Sequence, residues 1–479
     1  MKMARASLAV VLLMALAAVV HSQQALTGPE APPWFSDVFP KEEYAARRAA
    51  VMQQIGDGVA IVQGAAEKPA EAPFRQNNQF FYLTGVEVPR AFVVIDGRTK
   101  RSTLYLPDST RRARMWGPML EPDADAARIS GIESVVPREQ LEAAVAAFGQ
   151  DSRVIYTPFR PEVLGSGSAG DAAGFARANA QDPWDGRQSR EQAFIDHVKA
   201  RAPQAQLKDL DPIVDGLRFL KSPREIAVIR EATRITGLAI VEAMRETAPG
   251  KFEYELQAAA EYIFKKHGAQ GAAYFALVAT GKNTIFSHYH RGMARLADGD
   301  LVQFDYAPDY KYYVSDVTRV FPANGKFTAW QREYYTSYLR LYQALMTSIK
   351  PNVPVREIIA DAVKKMDGVL TTFTFTDPKI RQAATAFVER YRKSTANSLG
   401  HTIGMEVHDV TRRTDTLVAG QLFTIEPAMQ IPDLGLGLRL EDAILMTETG
   451  YENLSASVPV EVEAIEKTMA ERGASAPRR

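Results

Sequence analysis

Four carboxylates and one imidazole interrupt apolar, strand-like segments in the C-terminal half of this chain. They belong to Asp305, Asp316, His401, Glu426 and Glu441. Removing an ionised carboxylate from water is costly, so a fold that buries these segments must also bring positive charge to them. This requirement constrains the possible folds more than any other feature of the sequence.

The first two carboxylates lie in a predicted β-hairpin. Two β-rich runs, 301–306 and 312–321, are separated by a turn-forming segment. If residues 310–311 form a two-residue loop, Asp305 lies directly opposite Asp316. Opposed side chains in a sheet have Cβ atoms about 4.5–5.5 Å apart, and two like charges at that distance destabilise the sheet unless a cation lies between them.

A second predicted hairpin repeats this arrangement. The runs 423–427 and 438–445 flank a turn, and a loop of residues 433–434 places Glu426 opposite Glu441. Each of the two predicted hairpins thus carries a pair of directly opposed carboxylates.

The two carboxylate pairs, together with His401, predict a site for a pair of divalent cations. Ligation mainly by oxygen with a single imidazole suits Mn²⁺, Co²⁺, Zn²⁺ or Fe²⁺ rather than a soft metal or a closed structural zinc site. The alternative is that these acids are exposed or form structural salt bridges, with Arg439 on the face of Glu441 as a partner. Because two independent hairpins produce the same geometry, the sequence favours the metal site.

The segments around these residues resemble the motifs of the pita-bread metallopeptidases, a family that includes methionine aminopeptidase, prolidase and aminopeptidase P. The matching segments are 298–305, 315–319, 400–409, 424–427 and 438–442. The resemblance implies an α+β pita-bread catalytic domain in which Asp316 and Glu441 bridge two metal ions. Asp305 would chelate one ion, and His401 with Glu426 would hold the other. None of the five is substituted, which argues against creatinase, a relative that shares the fold without a metal.

The resemblance also assigns residues to the reaction. Glu426 is predicted to be the base, because a carboxylate in its position can take a proton and pass it to the leaving nitrogen. Arg439 is expected to orient Glu441 or Asp316 and so to support catalysis.

Two histidines and one asparagine are candidate substrate-binding residues. His288 and His408 match histidines of the family that contact the substrate and the tetrahedral intermediate, so they are also assigned to catalysis. Aminopeptidase P and prolidase usually carry a further histidine four residues before the metal-binding histidine, where this chain has Asn397. Asparagine can donate a hydrogen bond but cannot shuttle a proton, so the change concerns substrate positioning more than metal binding.

The first part of the chain is predicted to form a separate α/β domain. Strand-like and helical segments alternate over residues 58–156, and the aromatic run 80–83 is interpreted as one of the strands. Residues 73–85 resemble the creatinase-like N-terminal domain of aminopeptidase P and prolidase.

The boundary between the domains is expected near residues 211–216. A Ser-Pro-Arg-Glu sequence at 222–225 then opens a long helix with a capping box. The predicted domains are 36–215 for the creatinase-like α/β domain and 222–470 for the catalytic domain. Residues 165–190, rich in Gly, Ala, Ser and Asp, are expected to form a surface insertion or the neck of a helical lobe, to which the sequence assigns no function.

Residues 1–22 have the pattern of a secretory signal peptide. Lys2 and Arg5 precede the apolar run 8–20, which is short for a membrane span, and cleavage is expected after Ser22. An uncleaved anchor is the alternative. The chain has no cysteine, which excludes disulfides and thiol catalysis. We therefore expect a secreted or periplasmic protein without a stable membrane span after cleavage.

The sequence as a whole predicts a secreted metallo-aminopeptidase that hydrolyses the N-terminal Xaa-Pro bond of peptides through a metal-bridged hydroxide. Two divalent ions are expected per chain, with Mn²⁺ preferred and Co²⁺ or Zn²⁺ as alternatives. A prolidase restricted to Xaa-Pro dipeptides and a metal-binding but catalytically idle homologue are the alternative functions. The zero formal net charge and the absence of a basic block argue against a nucleic-acid partner. A peptide substrate and a homo-oligomer are expected.

Overall fold

The computed structural model describes residues 35–473 except Asp37, residues 68–72, Pro118, Leu164, Arg413 and Arg472. The predicted signal peptide therefore lies outside the described residues. No helix within the described part of the chain combines the length and the apolar character needed to cross a membrane.

The chain divides into two compact units. The first contains the described residues up to Tyr156 together with Val198–Lys208, and the second contains Thr157–His197 and the described residues from Asp209 onward. Residues 157–197 thus group with the second unit, although they fall within the predicted N-terminal domain, 36–215.

The first unit is built on a six-stranded mixed sheet with the strand order β4-β3-β2-β1-β5-β6. Its strands are β1 (Val59–Gln63), β2 (Phe92–Asp96), β3 (Arg101–Leu106), β4 (Ser134–Pro137), β5 (Val154–Thr157) and β6 (Gln206–Asp209). Its helices are α1 (Lys41–Ile55), α2 (Asn78–Thr84), α3 (Thr110–Trp116), α4 (Ala124–Ser130) and α5 (Leu141–Gln150). The central strand β1 pairs antiparallel with β2 and parallel with β5, as expected for an α/β domain.

The strand predicted at the aromatic run 80–83 is wrong. This run lies in helix α2. The side chain of Asn77 accepts a hydrogen bond from the backbone N–H of Phe80 and caps the start of the helix. Gly85, in a left-handed conformation with φ of 67°, ends it. These two caps outweigh the β propensity of the aromatic residues.

The second unit has the pita-bread architecture of small antiparallel sheets packed against helices. The sheets have the strand orders β12-β9-β8, β11-β10-β7, β13-β16-β17 and β14-β15. The strands are β7 (Gly271–Ala272), β8 (Leu277–Thr280), β9 (Leu301–Asp305), β10 (Pro308–Tyr310), β11 (Tyr313–Val314), β12 (Thr318–Pro322), β13 (Leu422–Ile425), β14 (Ala428–Ile431), β15 (Leu436–Arg439), β16 (Asp442–Met446) and β17 (Tyr451–Asn453).

The helices that follow α5 in the chain are α6 (Ala169–Gln181), α7 (Arg190–Arg201), α8 (Asp211–Phe219), α9 (Pro223–Glu246), α10 (Glu253–Lys266), α11 (Ala329–Met346), α12 (Val355–Thr372), α13 (Pro378–Arg392) and α14 (Val462–Met469). The predicted capping box at the start of α9 is present, with reciprocal hydrogen bonds between Ser222 and Glu225. Side chains of α9 to α14 and of the strands form one apolar core, which includes Ile240, Phe304, Tyr338 and Ile444.

The first hairpin has a different register from the predicted one. Asp305 pairs with Thr318 rather than with Asp316. The two-residue loop consists of Lys311 and Tyr312, both with positive φ, and so lies one residue later than expected. Moving the loop by one residue shifts the pairing by two positions, and a shift of two keeps every side chain on its predicted face. Asp316 lies in the break between β11 and β12, where it can still turn toward Asp305.

The second hairpin has the predicted register. The ladder between β13 and β16 ends just before Glu426, and the ladder between β14 and β15 begins with Ala428 opposite Arg439. Both ladders follow the register that places Glu426 opposite Glu441. The turn is closed by Gly435 in the left-handed region, with φ of 67°.

Candidate metal centre

Four of the five predicted metal ligands converge at the ends of these strands. Asp316, His401 and Glu441 each offer a ligand atom within 4.8 Å of the others. His401 Nε2 lies 3.6 Å from Asp316 Oδ2 and 3.8 Å from Glu441 Oε1. Glu426 Oε1 lies 3.1 Å from the same nitrogen.

Asp305, the fifth predicted ligand, is connected to this cluster by Tyr274. The Tyr274 hydroxyl lies 2.7 Å from Asp305 Oδ1 and 2.6 Å from Asp316 Oδ1. One hydroxyl can donate its single proton to only one of these oxygens at a time. Burial and the charge of Asp305 raise the pKa of Asp316 well above its usual value. A proton or a cation is therefore needed between the two carboxylates.

Glu441 offers an unpaired oxygen to the cluster. Its Oε2 accepts a 2.7 Å hydrogen bond from the hydroxyl of Thr318, whereas its buried Oε1 has no hydrogen-bond partner among the described residues. Burial, followed by the charges of Asp316 and Glu426, raises the pKa of Glu441 well above its usual value. A buried acceptor without a donor, 3.8 Å from an imidazole nitrogen, is suited to a metal ion.

Arg439 balances part of the negative charge, with a different partner from the one expected. Its Nη2 donates a hydrogen bond to Asp305, and its Nη1 lies 3.9 Å from Glu426 Oε2. Arg439 thus forms a direct ion pair with Asp305, and it reaches Glu441 through the Thr318 hydroxyl, which accepts a 3.3 Å hydrogen bond from Arg439 Nε and donates to Glu441. Burial lowers the pKa of Arg439, but Asp305 and the other carboxylates more than offset this and hold it above its usual value. Arg439 and His401 carry at most two positive charges against four carboxylates, so the cluster can accommodate further cations.

His401 also contacts His408. Their ring centroids are 4.1 Å apart, and the His408 side chain is exposed to solvent. Burial opposes protonation of His401, but its hydrogen bond with Glu426 and the charge of Glu441 raise its pKa. Partial loss of hydration and the charge of His401 lower the pKa of His408, whereas the carboxylate of Asp171 acts in the opposite direction. His408 thus lies at the edge of the cluster with its pKa held below the usual range.

The loop that carries His288 is attached to the same cluster. His288 is exposed, and the carbonyl of the preceding Ser287 accepts a 3.2 Å hydrogen bond from Arg439. The hydroxyl of the following Tyr289 donates to the buried carboxylate of Glu253 at 2.9 Å. These contacts fix the backbone on both sides of His288.

A buried ion network fixes the loop that follows His401. Asp409 accepts hydrogen bonds from Lys221 at 2.8 Å and from Arg218 at 2.5 Å, and Arg218 also donates to Glu406 at 2.9 Å. All four side chains are about 1% exposed. The position of His408 is therefore set by the residues on either side of it in the chain.

Asn397 and three described arginines near the site in sequence, which a prolidase could use to bind the proline carboxylate, have fewer contacts with the cluster. Asn397 lies in an exposed loop after α13, and its side chain forms no hydrogen bond with any described residue. Arg291 and Arg412 are exposed, and Arg295 lies over the ring of Phe252 at 4.4 Å. Arg413 lies outside the described residues.

Sequence reasoning missed Tyr274. It lies three residues before Leu277, the residue of β8 that pairs with Asp305. Only the pairing of β8 with β9 reveals this, because the sequence around Tyr274 contains no carboxylate, histidine or turn signal.

Two family models match the chain. The model described as metallopeptidase family M24 matches residues 227–448, and the model described as the aminopeptidase P N-terminal domain matches residues 44–156. All five predicted metal ligands lie within the first match.

The chain is similar over most of its length to proteins of known activity or structure. It is 32% identical to the Xaa-Pro aminopeptidase of Escherichia coli (strain K12), over 89% of this chain and 97% of that protein. It is 31% identical to the structure of proline aminopeptidase P II from Yersinia pestis, with a TM-score of 0.70 over 90% of this chain and 100% of that chain. The structure of aminopeptidase P from E. coli with the inhibitor Pro-Leu has a TM-score of 0.70 at 30% identity, over 90% of this chain and 98% of that chain.

Proposed function

The chain belongs to the aminopeptidase P family and is a metallopeptidase of family M24, and from this premise we propose that it releases the first residue of peptides whose second residue is proline. The observation that carries the proposal is the clustering of Asp316, His401, Glu426 and Glu441 in a chain that matches aminopeptidase P over both of its domains. The matching N-terminal domain supports this family rather than the single-domain methionine aminopeptidases.

The residues present fit two divalent cations. Asp316 lies 3.6 Å from the imidazole of His401 and 2.6 Å from the Tyr274 hydroxyl that also contacts Asp305, and Glu441 Oε1 lies 3.8 Å from the same imidazole. Together with Glu426, these residues would hold the ions. When bound, two such cations would polarise the peptide carbonyl and lower the pKa of an attacking water. We propose Mn²⁺ as the native metal, supported by the oxygen-rich donor set, with Co²⁺ and Zn²⁺ as alternatives.

Glu426 is the carboxylate best placed to move a proton. Its side chain is 30% exposed, whereas those of Asp316 and Glu441 are 7% and 1% exposed. A substrate can therefore approach Glu426 while its Oε1 stays on His401. In this position Glu426 takes the proton of the attacking water and passes it to the leaving nitrogen.

The two exposed histidines bind the substrate. His408 lies against His401, and His288 lies in the loop held by Arg439. Both can donate a hydrogen bond to the carbonyl oxygen of the scissile bond as negative charge develops on it.

We expect peptides of the type Xaa-Pro-Yaa to be cleaved at least as well as Xaa-Pro dipeptides. A prolidase needs a cation for the proline carboxylate, and Arg412, exposed four residues after His408, is the described candidate. Initial rates on Ala-Pro and Ala-Pro-Ala with added Mn²⁺, Co²⁺ or Zn²⁺ test this. Arg412→Ala should leave tripeptide cleavage unchanged, as should Arg356→Ala, a control at an exposed arginine of α12. Cleavage confined to dipeptides and lost in Arg412→Ala would assign the protein as a prolidase, and a metal-loaded protein inactive on both peptides would be an idle homologue.

We also propose that the protein is exported, supported by the basic residues and the apolar run of its N-terminal segment. Expressed in a Gram-negative host, the protein recovered from the periplasm should begin at Gln23 in N-terminal sequencing. Replacing Lys2 and Arg5 together by Glu should reduce its export. A full-length cytoplasmic product would contradict export, and a membrane-bound product that retains the segment would contradict cleavage.

A further inference from the structure

Residues 165–190, to which the sequence assigns no function, lie beside the candidate active site. Ser168 forms a parallel β-bridge with His408, and the N–H of Val407 donates a 2.8 Å hydrogen bond to the carbonyl of Ser166. The buried hydroxyl of Ser166 donates to the carbonyl of Ala273 at 2.7 Å. The segment is therefore attached both to the loop after His401 and to the residue before Tyr274.

Helix α6 begins at this attachment. The Ser168 side chain caps it by accepting a hydrogen bond from the N–H of Asp171 at 3.0 Å. Because Ser168 pairs with His408, helix α6 starts beside His408 and leads away from it.

One face of α6 lines an open groove of about 480 Å³. The helix contributes Ser168, Asp171, Ala172, Phe175, Ala176 and Asn179 to it. These positions are spaced three and four residues apart, so they form a continuous stripe along the helix. Phe175 is 70% exposed, which leaves its ring available to a bound chain. Residues 161–163 and 187–191 form the opposite wall.

The length of the stripe suits an extended peptide. From Ser168 to Asn179 the helix rises about 16 Å, which corresponds to about five residues of extended chain. An aminopeptidase accepts only one residue before the scissile bond. A groove of this length that starts at Ser168, the residue paired with His408, can therefore hold only the residues that follow the bond.

We propose that the α6 groove binds the part of the peptide substrate that follows the proline, so that the protein prefers peptides of five or more residues to tripeptides. This inference rests on the proposed aminopeptidase function. It assigns to α6 and Phe175 a role in selecting substrate by length, through contact between Phe175 and the side chains or backbone of the bound peptide.

The length dependence of cleavage tests the inference. For the series Ala-Pro-Leu to Ala-Pro-Leu-Ala-Leu-Ala, kcat/KM of the metal-loaded protein should rise about three- to tenfold with length, as expected for partial burial of an aromatic ring. Phe175→Ser should remove the rise and leave tripeptide cleavage unchanged. Tyr262→Ser is the matched control, because Tyr262 is an exposed aromatic residue of α10 outside the groove. A flat length series in the unmodified protein, or a rise that persists in Phe175→Ser, would overturn the inference.

A binding measurement separates this inference from the proposed activity. Fluorescence anisotropy with C-terminally labelled tripeptide and hexapeptide, on chelator-treated protein, should show tighter binding of the hexapeptide, and this difference should be lost in Phe175→Ser. Tighter binding of the hexapeptide by a protein that cleaves no peptide would contradict the proposed activity but support peptide binding in the groove. Equal affinity for both peptides would overturn the inference that the groove binds substrate. Sedimentation that shows self-association lost in Phe175→Ser, without any effect on peptide binding, would assign this surface to a second copy of the chain instead.

Discussion

Removal of divalent metal by a chelator is expected to reduce peptide cleavage by more than about 10³-fold, and added Mn²⁺ should restore it. The reason is that the cluster contains four carboxylates within reach of one imidazole and one guanidinium, so metal would have to supply the positive charge that polarises the carbonyl and activates the water. Rates before chelation, after it and after metal is added back measure the effect. Elemental analysis of the active protein should give about two ions per chain, and fewer than one would exclude the dinuclear centre.

The variant Asp316→Ala extends this prediction to one residue. Asp316 lies 3.6 Å from His401 and 2.6 Å from the hydroxyl that also contacts Asp305, so it faces both halves of the cluster. We expect this variant to lose both ions and activity together. Asp298→Ala, which removes an exposed carboxylate from segment 298–305, is the control and should retain metal. One fully occupied site in Asp316→Ala would show that Asp316 binds a single ion.

Arg439→Ala is expected to destabilise the metal-free protein by about 3–5 kcal/mol, because it leaves the buried carboxylate of Asp305 without its cation. Bound metal supplies positive charge to the same carboxylates, so the destabilisation should be smaller when the site is loaded. Urea unfolding in chelator and in Mn²⁺ measures both values. By linkage, this smaller loss in the loaded protein means that the Arg439→Ala variant should bind metal more tightly than the unmodified protein, which a metal titration of the chelator-treated variant measures.

Two further variants control this experiment. Arg439→Lys keeps the charge but loses the planar fork, so its effect should be intermediate. Arg332→Ala breaks the ion pairs of an exposed arginine with Glu463 and Glu466 and should cost about 1 kcal/mol or less, independent of metal. An equal loss of stability in Arg439→Ala with and without metal would show that Arg439 supports the fold rather than the charge balance of the site.

The pairing register of the second hairpin could be predicted from its local sequence. The alternation of apolar and polar residues and the glycine-closed turn predict the register of Glu426 and Glu441, and the ladders on both sides follow it. In the first hairpin the loop lies one residue later than predicted. The site could still be predicted, because a two-residue shift in pairing preserves the face on which Asp305 and Asp316 lie.

Other contacts of the site could not be predicted from the sequence around each residue. Tyr274 reaches Asp305 only because β8 pairs with β9, and Arg439 reaches Asp305 across 134 residues of sequence. Residues 165–190 have the composition of a surface insertion, yet Ser168 pairs with His408. In α2, two helix caps overrode an aromatic run that favours a strand.

Local sequence predicted which residues would bind metal, on which faces of their strands they lie, and which family the motifs resemble, because strand periodicity and turn chemistry act over a few residues. The packing of distant segments set which cation pairs with Asp305, which hydroxyl joins Asp305 to Asp316, and what lies next to His408. These contacts join segments more than thirty residues apart, and their geometry depends on how sheets and helices pack. The packing depends on many weak contacts throughout the unit, so it cannot be predicted from a short stretch of sequence.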